Sequence, residues 1–81
     1  MEEIIAKLQD VFRDVLDNEE IILSAPISAD DIEEWDSLSH IQLIVAIEKA
    51  FKIRFNSKEI LSWKNVGEMG QSIQQHLAKS N

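Results

Sequence analysis

The sequence contains no cysteine, one proline and only two glycines among its 81 residues. Without cysteine the chain has no disulfide, no thiolate metal ligand and no cysteine nucleophile, and we expect no dependence on an oxidising compartment. So few proline and glycine residues leave few breaks for a many-stranded sheet, which favours helices. A chain this short has room for one core and little else, so we expect a single domain over residues 1–81 without a deep active-site cavity.

The sequence also has little that would take it into a membrane. Its longest unbroken apolar run is five residues, 43–47, against about 20 for a membrane-spanning helix. Residues 1–4 are acidic where a secretory signal would be basic. We therefore expect no membrane span and a cytoplasmic location. The initiator Met1, together with the complete set of helices that the apolar pattern predicts, favours a free protein over a piece of a larger one.

Positive charge is scarce in the first part of the chain. Residues 1–36 hold 12 acids and 2 bases, net −10, whereas residues 37–81 hold 3 acids and 6 bases, net +3. The total of −7 repels nucleic acid and anionic lipid and favours basic protein partners, although acidity also keeps a small protein in solution. We expect no nucleic-acid partner, and we expect the chain to act as a monomer.

The apolar pattern predicts an all-α fold, a small four-helix bundle of three longer helices and one short helix with a long first loop. Residues 2–17 and about 37–51 repeat apolar side chains at helical spacing. A short helix is predicted over residues 57–63, with Ser57 as its N-cap and Ile60 and Leu61 facing inward. The last helix opens after Asn65, and Glu68 has the spacing to complete a capping box with it.

The loop over residues 18–36 is long for this chain, and such loops are tied down or have a function. Ser28 and Asp31 have the spacing of a capping box around a short helical turn. Five apolar residues are expected to pin the loop to the bundle, and these are Ile22, Leu23, Ile27, Ile32 and Trp35. In the last helix Gly67 indicates either close backbone packing or a frayed start.

The most informative segment is residues 35–44, which reads Trp-Asp-Ser-Leu-Ser-His-Ile-Gln-Leu-Ile. It places Asp36, Ser37 and Leu38 where the acidic loop meets the second helix, with Asp36 as the predicted N-cap. It resembles the acyl carrier protein family, whose signature is Asp-Ser-Leu at the start of the second helix. The tripeptide alone is a weak signal. Its position in an acidic chain whose helices and loops follow the family order makes the resemblance specific.

The resemblance implies that Ser37 is the attachment point of 4′-phosphopantetheine, which a separate phosphopantetheinyl transferase moves from coenzyme A. Asp36 and Leu38 would flank the site and help the transferase engage it. The arm's thiol would hold an acyl group as a thioester for an acyl ligase or acyltransferase and downstream synthase enzymes of fatty acid, polyketide or related biosynthesis. The chain would then carry substrates without being an enzyme. A phosphodiester on Ser37 would also suit a helix N-terminus, where N–H groups and the dipole favour an anion.

Five residues are candidates for the face that meets partner enzymes, namely Trp35, His40, Ile41, Val45 and Glu48. His40 follows Ser37 by one helical turn. It could donate to the phosphate, meet a partner, or simply pack on Trp35.

The second helix departs from that of the housekeeping fatty-acid carriers, which is richly acidic on its exposed side. Here Glu48 is the only acid in that helix, and Gln42 and Lys49 stand where those carriers have acids. Trp35 occupies a position that is small in many members of the family. We therefore expect a specialised carrier rather than the housekeeping one.

A pocket for an acyl chain is a further possibility, between the second and third helices. Its candidate lining residues are Ile44, Val45, Phe55, Ile60 and Trp63. Apolar residues at helical spacing more often form ordinary core, and both interpretations stay open.

Other functions fit less well. The acids around Asp30 and Asp31 lack the glycine and the ligand spacing of an EF-hand, so no metal site is predicted. His40 and His76, in a chain without cysteine, form no obvious nucleophile–base pair. The alternative that remains is an unmodified helical interaction domain that docks on a partner through its second helix.

Overall fold

A computed structural model describes residues 2–79. Within that range the chain forms four α-helices and no strand, and the helices are α1 (Glu2–Val15), α2 (Ser37–Phe51), α3 (Ser57–Ser62) and α4 (Val66–Lys79). A short 3-10 helix, Ala29–Asp31, lies in the long first loop. The predicted all-α bundle of three longer helices and one short helix is confirmed. Met1, which supported the expectation of a free protein, lies outside the described residues.

The core lies between α1, α2 and α4, because each of these helices turns an apolar stripe inward. The most deeply buried side chains come from all three helices, and they are Leu8, Phe12, Leu43, Ile47, Val66, Met69 and Ile73. Burying one such side chain is worth roughly 1.5–3 kcal/mol relative to leaving it exposed. Since α3 contributes no buried residue, the three longer helices supply most of the stability.

Side chains of α1 hold the first part of the long loop. Arg13 Nε donates to the carbonyl oxygen of Ile21 at 2.8 Å, and Gln9 Oε1 accepts the backbone N–H of Leu23 at 2.9 Å. Ile21 and Leu23 are buried, but Ile22 between them is 71% exposed, so its predicted role in pinning the loop is wrong. Alternate residues of an extended chain face opposite sides, and only one set can face the core. The other four predicted anchors are buried or half-buried.

The start of α4 holds the second part of the loop. The backbone N–H groups of Val66 and Gly67 donate to the carbonyl oxygens of Ile27 and Ala25, both at 2.8 Å. Loop carbonyls thus satisfy two of the first-turn N–H groups that a helix leaves unpaired. Gly67 therefore marks a close approach of two backbones and not a frayed helix start.

The predicted capping interactions at the loop and at α4 are largely present. The backbone N–H of Ser28 donates to Asp31 Oδ2 at 3.0 Å, which closes the short helical turn in the loop. Asn65 Oδ1 accepts the N–H of Glu68 at 2.9 Å, as predicted. The reciprocal bond differs, since the carboxylate of Glu68 accepts the N–H of Lys64 and not that of Asn65.

The short helix α3 departs from the prediction in two respects. Its N-cap is Asn56 and not Ser57, because Asn56 Oδ1 accepts the N–H of Glu59 at 2.8 Å while Glu59 Oε1 accepts the N–H of Asn56 at 3.2 Å. Leu61, predicted to face inward, is 86% exposed, and Ile60 is half-buried. Leu61 lies about 100° further round the helix than Ile60, and at that angle no other element covers it.

Replacing Gly67 with Ala is expected to destabilise the fold, although Ala is the better helix former by about 1 kcal/mol. A Cβ at this position would lie 3.1 Å from both Cβ and the carbonyl oxygen of Ala25. That oxygen accepts the N–H of Gly67 at 2.8 Å and cannot retreat without stretching the bond. We expect urea unfolding to give a free energy of unfolding lower by about 1 kcal/mol. Gln71→Ala, at an exposed position of the same helix, is the control, and a more stable G67A would contradict the close approach.

Candidate functional site

Ser37 is the first residue of α2, and its side chain is exposed. Asp36 caps the helix, as predicted, since its Oδ1 accepts the N–H groups of Leu38 at 3.1 Å and Ser39 at 2.9 Å. Ser39 Oγ in turn accepts the N–H of Asp36 at 2.8 Å. These reciprocal bonds fix the corner between loop and helix, so the hydroxyl of Ser37 is presented to solvent from a rigid position.

The same bonds determine the electrostatics around Ser37. The amides of Leu38 and Ser39 donate to the carboxylate of Asp36, as its predicted role as N-cap requires, so these two groups do not donate to a phosphate on Ser37. Hydrogen bonds from the backbone and side chain of Ser39, together with the Leu38 N–H, lower the pKa of Asp36 below its usual 3.8. Asp36 is therefore charged at neutral pH. A phosphate on Ser37 would lie near this charge, where exposure to water and salt weakens the repulsion.

Trp35 lies in the core and not on the partner face that the sequence suggested. Its side chain is 8% exposed and packs edge-on against Phe12, with ring centroids 4.9 Å apart. Its Nε1 donates to His40 Nδ1 at 3.0 Å. The indole thereby joins the end of the loop to α1 and α2. This burial agrees with its other predicted role, that of pinning the loop to the bundle.

His40 packs on Trp35, one helical turn after Ser37, with ring centroids 5.9 Å apart and an angle of 25° between the planes. An indole N–H only donates, so His40 Nδ1 accepts, and the neutral ring carries its proton on Nε2. Burial lowers the pKa of His40 below its usual 6.5. A neutral imidazole brings no positive charge to a phosphate, so packing, one of the three predicted roles, is the one that the geometry favours.

His40 is expected to stay neutral at pH values that protonate an exposed histidine. The pKa is lower in the folded chain, so the unfolded chain binds the proton first. The contribution of His40 to stability is therefore complete above pH 6.5 and falls as the pH drops from 6.5 toward the folded pKa. An NMR titration of the imidazole measures the pKa directly, and His40→Gln should remove this part of the pH dependence. A folded pKa at or above 6.5 would contradict the packing.

A cavity of about 450 Å³ opens beside Ser37. Its lining residues are Ala29, Trp35, Asp36, Ser37, His40, Trp63, Lys64, Asn65 and Met69. Trp63 is held in place by a hydrogen bond from Nε1 to Ser72 Oγ at 2.8 Å and by edge-on packing against Phe55, with centroids 4.7 Å apart. Of the five residues predicted to line a pocket, Trp63 alone lines this cavity. Its other aromatic walls come from the loop and from the first turn of α2.

The sequence did not point to Lys64, Asn65 or Met69 as neighbours of Ser37. They reach the cavity because the turn between α3 and α4 folds back toward the start of α2. The one predictive feature of that segment is the cap formed by Asn65. It predicts where a helix begins in the sequence, but it does not predict that this helix start lies near Ser37. Among residues 2–79, no group of His, Asp and Glu side chains is arranged to hold a metal ion.

The exposed side of α2 carries two of the predicted partner-face residues. Ile41 is 62% exposed and Val45 is 45% exposed, and Leu38, which flanks Ser37, is 70% exposed. Glu48 is half-buried, and its Oε2 accepts the backbone N–H of Phe55 at 2.9 Å. The one acid of this helix therefore closes the connector that follows it.

The comparisons with known proteins agree with this geometry. A family model described as phosphopantetheine attachment site matches residues 6–73. The fold is similar to that of a holo acyl carrier protein from Geobacter metallireducens, solved by solution NMR, with a TM-score of 0.89 and 41% sequence identity. That match covers 94% of this chain and 87% of the other. No curated protein matches the chain.

The chain therefore belongs to the acyl carrier protein family. It is a carrier and not an enzyme, and its cofactor is a covalently attached phosphopantetheine. As a member of this family it interacts with transferases and with biosynthetic enzymes. Within the described part of the chain, no helix is both long and apolar enough to cross a membrane.

Proposed function

We propose that Ser37 is the attachment residue, and that the chain carries an acyl group as a thioester on its phosphopantetheine arm. The main support for this proposal is the position of Ser37. Its hydroxyl is exposed at the start of a helix, and the hydrogen bonds of Asp36 hold that helix start rigid. Partner enzymes of fatty acid, polyketide or related biosynthesis would receive the acyl group.

The residues around Ser37 suit the arm. Its Oγ is open to a transferase, and the cavity of about 450 Å³ beside it offers the rings of Trp63 and His40 as apolar walls. When bound, the arm supplies the thiol that this cysteine-free chain lacks. Asp36 keeps the serine in place, and the exposed side chain of Leu38 is available to the transferase.

We further propose a specialised carrier. The side of α2 that would meet enzymes has no fully exposed acid, since Glu48, the one acid of this helix, is half-buried and accepts the N–H of Phe55. Loading by the general fatty-acid synthase enzymes should therefore be weaker than that of a housekeeping carrier. Equal loading of the two carriers would contradict this. The single domain over residues 1–81, the monomeric state and the cytoplasmic location stay predictions.

The intact mass of the chain from its native host tests the carrier function. The expected result is the unmodified mass plus the arm, with or without an acyl group, and the mass of that group identifies the cargo. A chain that never gains mass would instead favour an unmodified interaction domain, for which the exposed Leu38, Ile41 and Val45 would be the docking surface.

A further inference from the structure

The exposed side of α2 carries a stripe whose chemistry changes along the helix. Its members Leu38, Ile41, Val45 and Lys49 follow one another at steps of three or four residues, which places them on one face. The first three are 70%, 62% and 45% exposed, and Lys49 is exposed as well. With a rise of 1.5 Å per residue, the stripe is about 16 Å long. It begins apolar beside Ser37 and ends basic.

A groove of about 520 Å³ lies at the basic end of this stripe. Its lining residues are Val45, Glu48, Lys49, Lys52, Ile53 and Arg54, so Val45 belongs to both the stripe and the groove. Within residues 2–79, none of the three cations forms a salt bridge. The one acid of the groove, Glu48, already accepts the N–H of Phe55. The groove therefore holds three cations and one carboxylate, and its net charge is positive.

We infer that this face of α2 docks a partner protein through an apolar surface that ends in a carboxylate, which enters the groove between Val45 and Arg54. The apolar stripe gains from burial, and the carboxylate gains charge-assisted hydrogen bonds from the cations, for which a guanidinium offers a two-pronged geometry. The inference rests on the proposed carrier function, because it names the surface by which a partner enzyme reaches the arm.

The charge pattern also fixes the orientation of the partner. Glu33, Glu34 and Asp36 lie at the Ser37 end of the stripe, and Lys49 and Arg54 lie at the other end. A partner that is basic near the arm and acidic at the groove fits one way round, and the reversed orientation brings like charges together.

The charge of the whole chain disfavours two other binding partners for this face of α2, an anionic lipid surface and a second copy of the chain. A net charge of −7 repels an anionic lipid surface before the local cations can reach it. It also repels a second copy of the chain, whose acidic loop would otherwise suit the groove. A small acidic patch on a partner protein is affected mainly by the local cations, since exposed charges more than about 10 Å away are screened at ordinary salt. A lipid surface or a second copy is large enough to come close to the acidic first part of the chain as well.

Two helical peptides test the inference on the full chain. Both carry the same leucine stripe, and they differ only in ending with two glutamates or two lysines. We expect the acidic peptide to bind about fivefold more tightly by fluorescence anisotropy in about 0.1 M salt, which screens the net charge of the chain beyond about 10 Å and leaves an effect of the size of one exposed ion pair. It should shift the NMR amide signals of Val45, Lys49 and Arg54. The K49E/R54E variant should reverse the preference, and K58E/K79E, with the same change in net charge on α3 and α4, should keep it.

Lys52 is left unchanged in these variants, because its left-handed backbone, with a φ of 59°, would mix strain with the loss of charge. Equal binding of the two peptides, tighter binding of the basic one, or binding of neither overturns the inference. Two other results also overturn it: self-association seen by sedimentation, or binding to phosphatidylglycerol vesicles, when the K49E/R54E variant abolishes that interaction. The experiment measures peptide binding, and the binding measurement is repeated with the Ser37→Ala variant. A failure of docking is therefore distinguishable from a failure of the carrier function, which is tested by the intact mass of the chain.

Discussion

Ser37→Ala is expected to accept no phosphopantetheine when the chain is incubated with a phosphopantetheinyl transferase and coenzyme A. Alanine has no hydroxyl oxygen to form the ester. The nearest serine, Ser39, is poorly placed to replace it, because its hydroxyl accepts the N–H of Asp36 at 2.8 Å and donates to the carbonyl oxygen of Glu34 at 2.9 Å. Intact mass spectrometry should show the arm on the wild-type chain and only the unmodified mass for the variant.

Ser57→Ala is the matched control for this experiment. Ser57 is also an exposed first residue of a helix, and it follows the cap Asn56 as Ser37 follows Asp36. It lacks the Asp-Ser-Leu context, so its removal should leave loading unchanged. Loading of the Ser37 variant would assign the arm to another residue. Failure of the wild-type chain to load would favour the unmodified interaction domain.

Trp35→Ala is expected to lower the free energy of unfolding by about 3–5 kcal/mol. The indole is 8% exposed and packs edge-on against Phe12, so its loss leaves a cavity under the loop. His40 Nδ1 also loses its donor. A chain of this size has about 5–10 kcal/mol of stability in total, so the variant should retain little of it. Urea unfolding followed by circular dichroism measures the change.

Two variants separate the contributions of Trp35. Trp35→Phe keeps an aromatic ring against Phe12 but loses the N–H to His40, and we expect a smaller loss of about 1–2 kcal/mol. Leu61→Ala, at a position that is 86% exposed, should change stability by no more than about 0.5 kcal/mol. If Trp35→Ala costs no more than Leu61→Ala, the burial of the indole is wrong.

The helix starts show how far local signals reach. Asp36 was identified as the cap of α2 because its spacing to the first apolar residues is local information. The same reasoning chose Ser57 for α3, where Asn56 stands one residue earlier and also fits. When two adjacent residues both have side chains that can cap a helix, the sequence does not show which of them is the N-cap. The choice between them depends on where the connector from α2 brings the chain.

Burial in the loop was harder to predict than burial in the helices. An extended segment needs only a shift of one residue to exchange its buried and exposed sets, which is how Ile21 replaced Ile22 in the core. Trp35 was predicted both to pin the loop to the bundle and to belong to the face that meets partner enzymes, and its burial supports the first role. That burial depends on the position of Phe12, which belongs to α1.

Local patterns were enough to predict the all-α class, the bounds of α2, the cap at Asp36 and the motif around Ser37. These features depend on interactions within about four residues, which a linear pattern records. Tertiary contacts, in contrast, determine which of its two predicted locations Trp35 takes and bring Trp63 against His40 in a cavity beside Ser37. They also give the Glu48 carboxylate a hydrogen bond from Phe55, whereas Arg54 forms no salt bridge within residues 2–79. Those outcomes depend on how helices and connectors far apart in the chain come together, and composition and spacing carry no record of it.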